Sequence, residues 1–434
     1  MTSHADRPSM FAKTVLDNGI RLVSQEMPDH RSVSLGIWVE NGSRHEAPGE
    51  NGISHFIEHL LFKGTERRSA AQIAEEMDAV GGILNAFTAK EHTCYYAKVL
   101  DEDLPLAVDL LTDIFLHSKF DGEEIERERS VILQEISQAE DTPDDYVHDL
   151  FSLDFFKDHP LAHPICGRAQ TVNAFRRQDF LTFFKSRYRP RRVVISAAGH
   201  LRHDDLVKAM NERLGSVTDS ADDARSMSRD GEKAPQTRSG VFQHVKSLEQ
   251  VHLCLGVPGL HQSHPQRYAA YVLNTVLGGG MSSRLFQEIR EKRGKAYSVY
   301  SFASSYKDTG YVGVYAGTSL EWVEEVVELI VQELRNLAAG DIKAEEIRRT
   351  QGQLVGSMML GLESTDSWMS HIARNEIYFG KPISTDEICR EIRSVSRDAV
   401  VDLARVLFYS QGMALSLLGD FKEDIKLKNL DLRH

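Results

Sequence analysis

Residues 33–39 read VSLGIWV, and a comparable apolar stretch, QVHLCLGV, runs from Gln250. A second pair matches in the same way, VVISAAG at 193–199 and MALSLLG at 413–419. The interval from Val33 to Val251 is almost the same as that from Gly199 to Gly419. The same order of elements at a nearly constant interval indicates an internal duplication. Each half mixes β-alternating segments with long helical stretches such as Leu104–His117 and Glu321–Ala339. This pattern predicts an α+β fold of two tandem homologous domains, each a largely antiparallel sheet with helices packed on it. Between them, Ser216–Lys233 (SVTDSADDARSMSRDGEK) is polar and almost without large apolar residues, so it reads as a linker. The boundaries expected are a first domain at 1–215, a linker at 216–239 and a second domain at 240–434.

A chain of 434 residues, 41% hydrophobic and 26% charged, can bury two cores and falls outside the disordered and fibrous classes. No apolar run approaches the ~18 residues needed to span a bilayer. The start, MTSHADRPSMF, has neither an apolar secretory core nor an arginine-rich amphipathic helix, so the expected location is cytoplasmic, or the chain is the mature form in some other compartment, without membrane association. Cysteines at 94, 166, 254 and 389 form no CxxC pair and read as buried thiols. A net charge of -13 argues against nucleic acid as partner. The same charge favours basic ligands if it lines a cavity, and otherwise simply serves solubility.

The segment GISHFIEHLLFKGT, Gly52–Thr65, carries the chemistry. On a helix, His55, Glu58 and His59 share an arc of about 100°, while Phe56, Ile57, Leu60 and Leu61 fill the other side. Two imidazoles one turn apart can reach one Zn²⁺, and the carboxylate between them lies close enough to take a proton from a water there. Two histidines among 18 are equally readable as ordinary packing, so a third ligand is needed. The helical segment Glu123–Gln138 offers two candidates. Glu128 and Glu135 fall on or beside the apolar stripe of Ile125, Val131, Ile132 and Ile136 rather than on a solvated face. A carboxylate in that place must be protonated or meet a cation, either as a metal ligand or as a group behind one.

These residues resemble the inverzincin peptidases, whose motif is HxxEH. The chain is similar over nearly its whole length to the pitrilysin family, in the short-chain subgroup related to the mitochondrial processing peptidase. The resemblance implies His55, His59 and Glu135 as zinc ligands, Glu135 falling at the family's separation from the second histidine, with Glu128 behind a histidine. It also implies Glu58 as the base. In GGILNAFTAKEHTCYYAKV, from Gly81, it implies an edge strand where Asn85 and Ala86 offer backbone groups to an extended peptide; otherwise Asn85 reads as a turn residue. In LGGGMSSRLFQEIREKRGKAYSVYS it implies Arg290 and Tyr297 as a pair that holds substrate and stabilises the oxyanion. Without the resemblance, Arg290 is one charge in a solvated run and the glycines a flexible turn. A phosphate loop would need a GK[ST] that does not follow.

The second half has TVLGG at 275–279 in place of HxxEH, so one zinc site per chain is expected. The reading is a zinc metalloendopeptidase cleaving unfolded or presequence-like peptides. The alternative is a non-catalytic or partner-dependent structural subunit of the same fold. Because one chain carries both residue sets, the resemblance implies a homodimer, or a heterodimer with a related subunit. His159 and His163 sit among prolines and read as turn residues.

Overall fold

The computed structural model describes residues 10–218, 235–409, 412–423 and 425. Two compact units divide the chain, each built on one sheet. In the first unit the strands are β1 (Phe11–Val15), β2 (Arg21–Glu26), β3 (Ser32–Val39), β4 (Ile83–Thr88), β5 (Thr93–Leu100) and β7 (Val193–Gly199). A short strand β6 (Phe156–Lys157) pairs with β8 (Gln236–Thr237) in the second unit. The larger sheet runs β1-β2-β7-β3-β5-β4, antiparallel except for β2 against β7.

The second unit repeats this order with β9 (Gly240–Val245), β10 (Val251–Pro258), β11 (Ala296–Ser305), β12 (Gly310–Thr318) and β13 (Ala414–Gly419). Its sheet runs β11-β12-β10-β13-β9, with β13 parallel to β9 and the other pairs antiparallel. The expected α+β class and duplication are therefore present. The strands that revealed the repeat, β3 with β7 and β10 with β13, are central neighbours in their sheets.

Both faces of β3 are covered, which is why VSLGIWV is nearly all apolar. Val33, Leu35, Ile37 and Val39 enter one core, and Trp38 enters another on the opposite face. The first core is closed by α1 (Ile53–Leu61), α3 (Leu104–His117) and α4 (Gly122–Glu140), each of which buries apolar residues in it. A further helix, α2 (Ala70–Ala79), adds Ile73 and Met77.

The units are not contiguous halves. The first takes Met1–Ser137, Pro164–Lys233 and Gly361–Pro382, and the second takes the rest. Helix α5 (Pro143–Phe155), which precedes β7 in sequence, buries Val147, Leu150 and Phe151 against Cys254 and Tyr315 of the second sheet. Conversely, the helix Thr365–Phe379 buries Met369, Ile372 and Ala373 against Trp38, Cys94 and Val194 of the first. One and the same interval separates Val147 from Met369, Leu150 from Ile372 and Asp154 from Glu376, and it is close to that of the paired strands. The duplicated halves therefore exchange equivalent helices.

Glycine makes both exchanges fit. A Cβ on Gly36 would lie 3.0 Å from Met369 Sδ, and one on Gly256 would lie 2.5 Å from the Phe151 ring. Each exchanged helix also carries a carboxylate for its host. Asp154 accepts from Ser416 Oγ at 2.6 Å and pairs with His244 Nε2 at 2.8 Å. Glu376 accepts from Lys13 Nζ at 2.9 Å.

The contiguous boundaries 1–215 and 240–434 thus leave 138–163 and 361–382 in the wrong unit. Periodicity tells which face of a helix is apolar but not which sheet will cover it. The interior of the expected linker, 219–234, lies outside the described residues.

The exchange makes a prediction. Cleavage at a protease site engineered within 219–234 will leave two fragments that co-elute on size exclusion under native conditions, because each holds a helix the other's sheet requires. Separation without denaturant would contradict the exchange.

Candidate metal centre

Helix α1 seats Phe56, Ile57, Leu60 and Leu61 in the core, packed on β4, β5 and the helix Arg177–Arg187. The Phe56 ring meets that of Phe180 edge-on at 4.6 Å. Burial of each such side chain stabilises by about 1.5–3 kcal/mol, so the helix cannot rotate without exposing it. The opposite face then directs His55, Glu58 and His59 away from the core, and all three are half-buried.

Helix α4 brings the two glutamates. Its core contacts are Ile125, Ile132 and Ile136, and Glu128 and Glu135 lie two turns apart beside them. Glu135 Oε2 is 3.7 Å from His55 Nε2 and 3.6 Å from His59 Nε2. One ligand atom from each residue lies within 4.8 Å of the others, the one such group among the described residues. Zinc bonds of about 2.0–2.1 Å at tetrahedral angles need donors about 3.3 Å apart. Both His–Glu separations are therefore within a few tenths of an ångström of that spacing, and two imidazoles with a carboxylate suit zinc.

Glu128 is buried and bonds His59 Nδ1 at 3.0 Å through Oε2, while Oε1 meets Lys63 Nζ at 2.6 Å. This fixes the His59 tautomer with Nε2 toward Glu135. His55 is held differently: its Nδ1 is buried without a hydrogen-bond partner among the described residues. The electrostatics follow. Burial, and secondarily His59, push His55 down to about 4, which keeps it neutral and able to ligate at neutral pH. Burial opposes protonation of His59 too, but Glu128, Glu135 and Glu58 together hold its pKa above the ordinary value. Burial also works to raise the pKa of Glu128, yet its bonds to His59 and Lys63 outweigh this and hold it low, so it stays a carboxylate.

Glu58 takes no place in the ligand trio. Its Oε2 accepts from Thr88 Oγ1 at 2.5 Å, and burial raises its pKa against the effect of that bond. A carboxylate raised in this way is a stronger proton acceptor than a solvated one.

Asn85 and Ala86 lie on β4, the edge strand of the first sheet, with Asn85 exposed and its Oδ1 on the Ala86 N–H at 2.8 Å. Arg290 and Tyr297 lie in the second unit, in a π-helical turn (Phe286–Glu291) and at the start of β11. The Arg290 guanidinium stands 4.7 Å from the ring centres of both Phe286 and Tyr297. Tyr297 is 78% exposed. Residues 275–279 close and follow the helix Arg267–Gly278 and offer no imidazole or carboxylate.

Sequence reasoning missed Thr88, Lys63 and Glu46. Strand alternation puts Thr88 on the same side as Leu84 and Ala86, and Lys63 follows His59 by one turn, so both had weak local signals. Glu46 accepts from the Gly52 and Ser54 N–H groups at 2.9 Å each. Its only sequence cue is that the residue before α1, Gly52, has no side chain.

Comparison with known proteins gives the family. Residues 21–169 match the family described as Insulinase (Peptidase family M16), and residues 174–354 match its companion, Peptidase M16 inactive domain. The chain belongs to peptidase family M16. It is 44% identical to the uncharacterized zinc protease YmxG of Bacillus subtilis over 94% of this chain and 98% of that protein. It is also 44% identical to the uncharacterized zinc protease SCO5738 of Streptomyces coelicolor, over 95% of this chain and 90% of that one. Among solved structures, a protease from Helicobacter pylori superposes with a TM-score of 0.85 at 20% identity, covering 94% of this chain and 99% of its own. At that identity the likeness concerns the fold.

The Glu128 contacts predict that Glu128→Ala will weaken Zn²⁺ binding about 10–100-fold in chelator competition, by freeing His59 Nδ1 and leaving Lys63 beside it. Unchanged affinity would show that Glu128 does not orient His59.

Proposed function

We propose that this chain is a zinc-dependent endopeptidase acting on unfolded or presequence-like peptides bound in extended form. The observation that carries the proposal is the meeting of His55, His59 and Glu135 beside a separate, half-buried carboxylate, Glu58, held by Thr88. Membership of a peptidase family and relatives named as zinc proteases support it.

Zinc bound at the trio supplies a Lewis acid that polarises a carbonyl and acidifies water at neutral pH. Glu58 then has one oxygen tied by Thr88, and the other accepts the proton of the attacking water and delivers it to the departing amine nitrogen. Glu128 keeps His59 in the ligating tautomer. The exposed edge of β4, at Asn85 and Ala86, receives the peptide backbone as an added strand, so main-chain hydrogen bonds supply affinity. Arg290 and Tyr297 are assigned to the substrate carbonyl as donors to the developing oxyanion, their guanidinium–ring contact holding them as a unit. The complete set of ligands and base weighs against a purely structural subunit. One chain carrying both sets is suited to work as a homodimer with two equivalent sites, which the mass in solution tests.

Glu58→Gln should retain zinc while turnover of a quenched peptide falls about 10²–10⁴-fold, and a chelator should abolish turnover by the unaltered chain. Persistent cleavage by Glu58→Gln would remove the assigned role. Arg290→Ala and Tyr297→Phe should lower kcat by about 10²-fold or more with zinc content unchanged. A change in KM alone would assign the pair to binding instead.

A further inference from the structure

We infer that Glu46 is a positioning residue for the metal centre, its buried carboxylate anchoring the first turn of α1 and so setting where His55 and His59 present their Nε2 atoms. The inference rests on the metal reading proposed above.

A helix start leaves four backbone N–H groups without partners inside the helix. The residue before α1 is Gly52, which has no side chain to accept from them. Glu46, in the loop upstream, does so instead. Its Oε2 takes the Gly52 N–H at 2.9 Å and its Oε1 takes the Ser54 N–H at 2.9 Å, with Asn51 Nδ2 on Oε2 at 3.3 Å. Both oxygens are used, the residue is only 4% exposed, and the next residue after Ser54 is the ligand His55. Two bonds from one carboxyl group to the N–H groups at the positive end of the helix hold its rise and its rotation together.

The other end of this tie explains why the anchor sits in a loop. The Ser43 N–H donates to Ala89 O at 3.2 Å and the Arg44 N–H to Lys90 O at 2.7 Å. Arg44 also forms a buried ion pair with Glu91 at 2.8 Å. These partners belong to the β4–β5 turn, which directly follows Thr88, the residue that holds Glu58. Residues 43–46 therefore bridge the turn that places the base's partner and the helix that places the ligands. Asn51 is held in turn by a more distant segment, its Nδ2 on Pro164 O at 3.0 Å and its O accepting from Thr171 Oγ1 at 2.7 Å. Burial pushes the Glu46 carboxyl up to about 7 against the effect of its donors, so this carboxylate is seated at a cost that an ordinary serine or aspartate cap would avoid.

The test compares the full chain with Glu46→Ala, Glu46→Gln and, as a stability control, Val23→Ala on β2, whose side chain packs on the sheet face away from the α1 core. Zinc affinity is read by chelator competition, ligand geometry by the absorption spectrum of the Co²⁺-loaded chain, and kcat and KM on a quenched peptide. Glu46→Ala should weaken zinc binding about 10–100-fold, shift the Co²⁺ bands and lower kcat more than it raises KM. Glu46→Gln keeps one acceptor and faces the second N–H with its own NH₂, so it should fall between, and it serves if the alanine variant does not fold. Val23→Ala should lose thermal stability with zinc affinity and Co²⁺ spectrum unchanged. If the unaltered chain binds zinc and both Glu46 variants bind it equally well, or lose affinity only as Val23→Ala does, the inference is overturned alone. If the unaltered chain binds no zinc, the metal reading is overturned and takes this inference with it.

Discussion

Rotation of one short helix is the constraint on which the centre depends. The apolar side of α1 is fixed by Phe56, Ile57, Leu60 and Leu61 in the core, and a helix whose buried face is fixed has its other face aimed. His55, Glu58 and His59 inherit their directions from that burial. Helix α4 obeys the same rule, its isoleucines setting Glu128 and Glu135 two turns apart beside α1. Packing thus decides geometry, and the polar groups meet because two apolar stripes do.

Four carboxylates lie on or around α1, and their environments differ. Glu128 is buried between His59 and Lys63 and stays ionised. Glu135, half-exposed, meets both imidazole Nε2 atoms. Glu58 is bonded by one hydroxyl and raised by burial, which suits a group that takes and returns a proton. Glu46 faces the N–H donors of the helix start and the Ser54 side chain. The residue type is constant and the partner changes, so it is the partner that assigns each role.

The duplication shows how far one fold can diverge while its scaffold persists. Both sheets keep the same strand order, one parallel pair each, a glycine beneath the exchanged helix, two places further along in β10 than in β3, and a carboxylate at the same place in the exchanged helix. What differs is the helix face: HFIEH in the first half, TVLGG at the matching offset in the second. With no imidazole or carboxylate at that offset, the second half instead holds an arginine against a tyrosine ring at the start of its edge strand.

The sequence by itself determined whatever depends on neighbours along the chain. The strands at 33–39 and 193–199, the helix at 104–117, the duplication, and the grouping of His55, Glu58 and His59 on one face all follow from periods of 2 and 3.6 residues or from a recurring interval. Even Glu128 and Glu135 were visible as carboxylates misplaced on an apolar stripe. Only the tertiary structure decided which sheet each exchanged helix covers, and that Glu135 reaches two imidazoles from a helix remote in sequence. It also decided that Lys63 meets Glu128, Thr88 meets Glu58 and Glu46 meets the start of α1. The reason is physical: local periodicity fixes the direction of a side chain relative to its own element, whereas the partner it meets is set by how separate elements bury their apolar faces together.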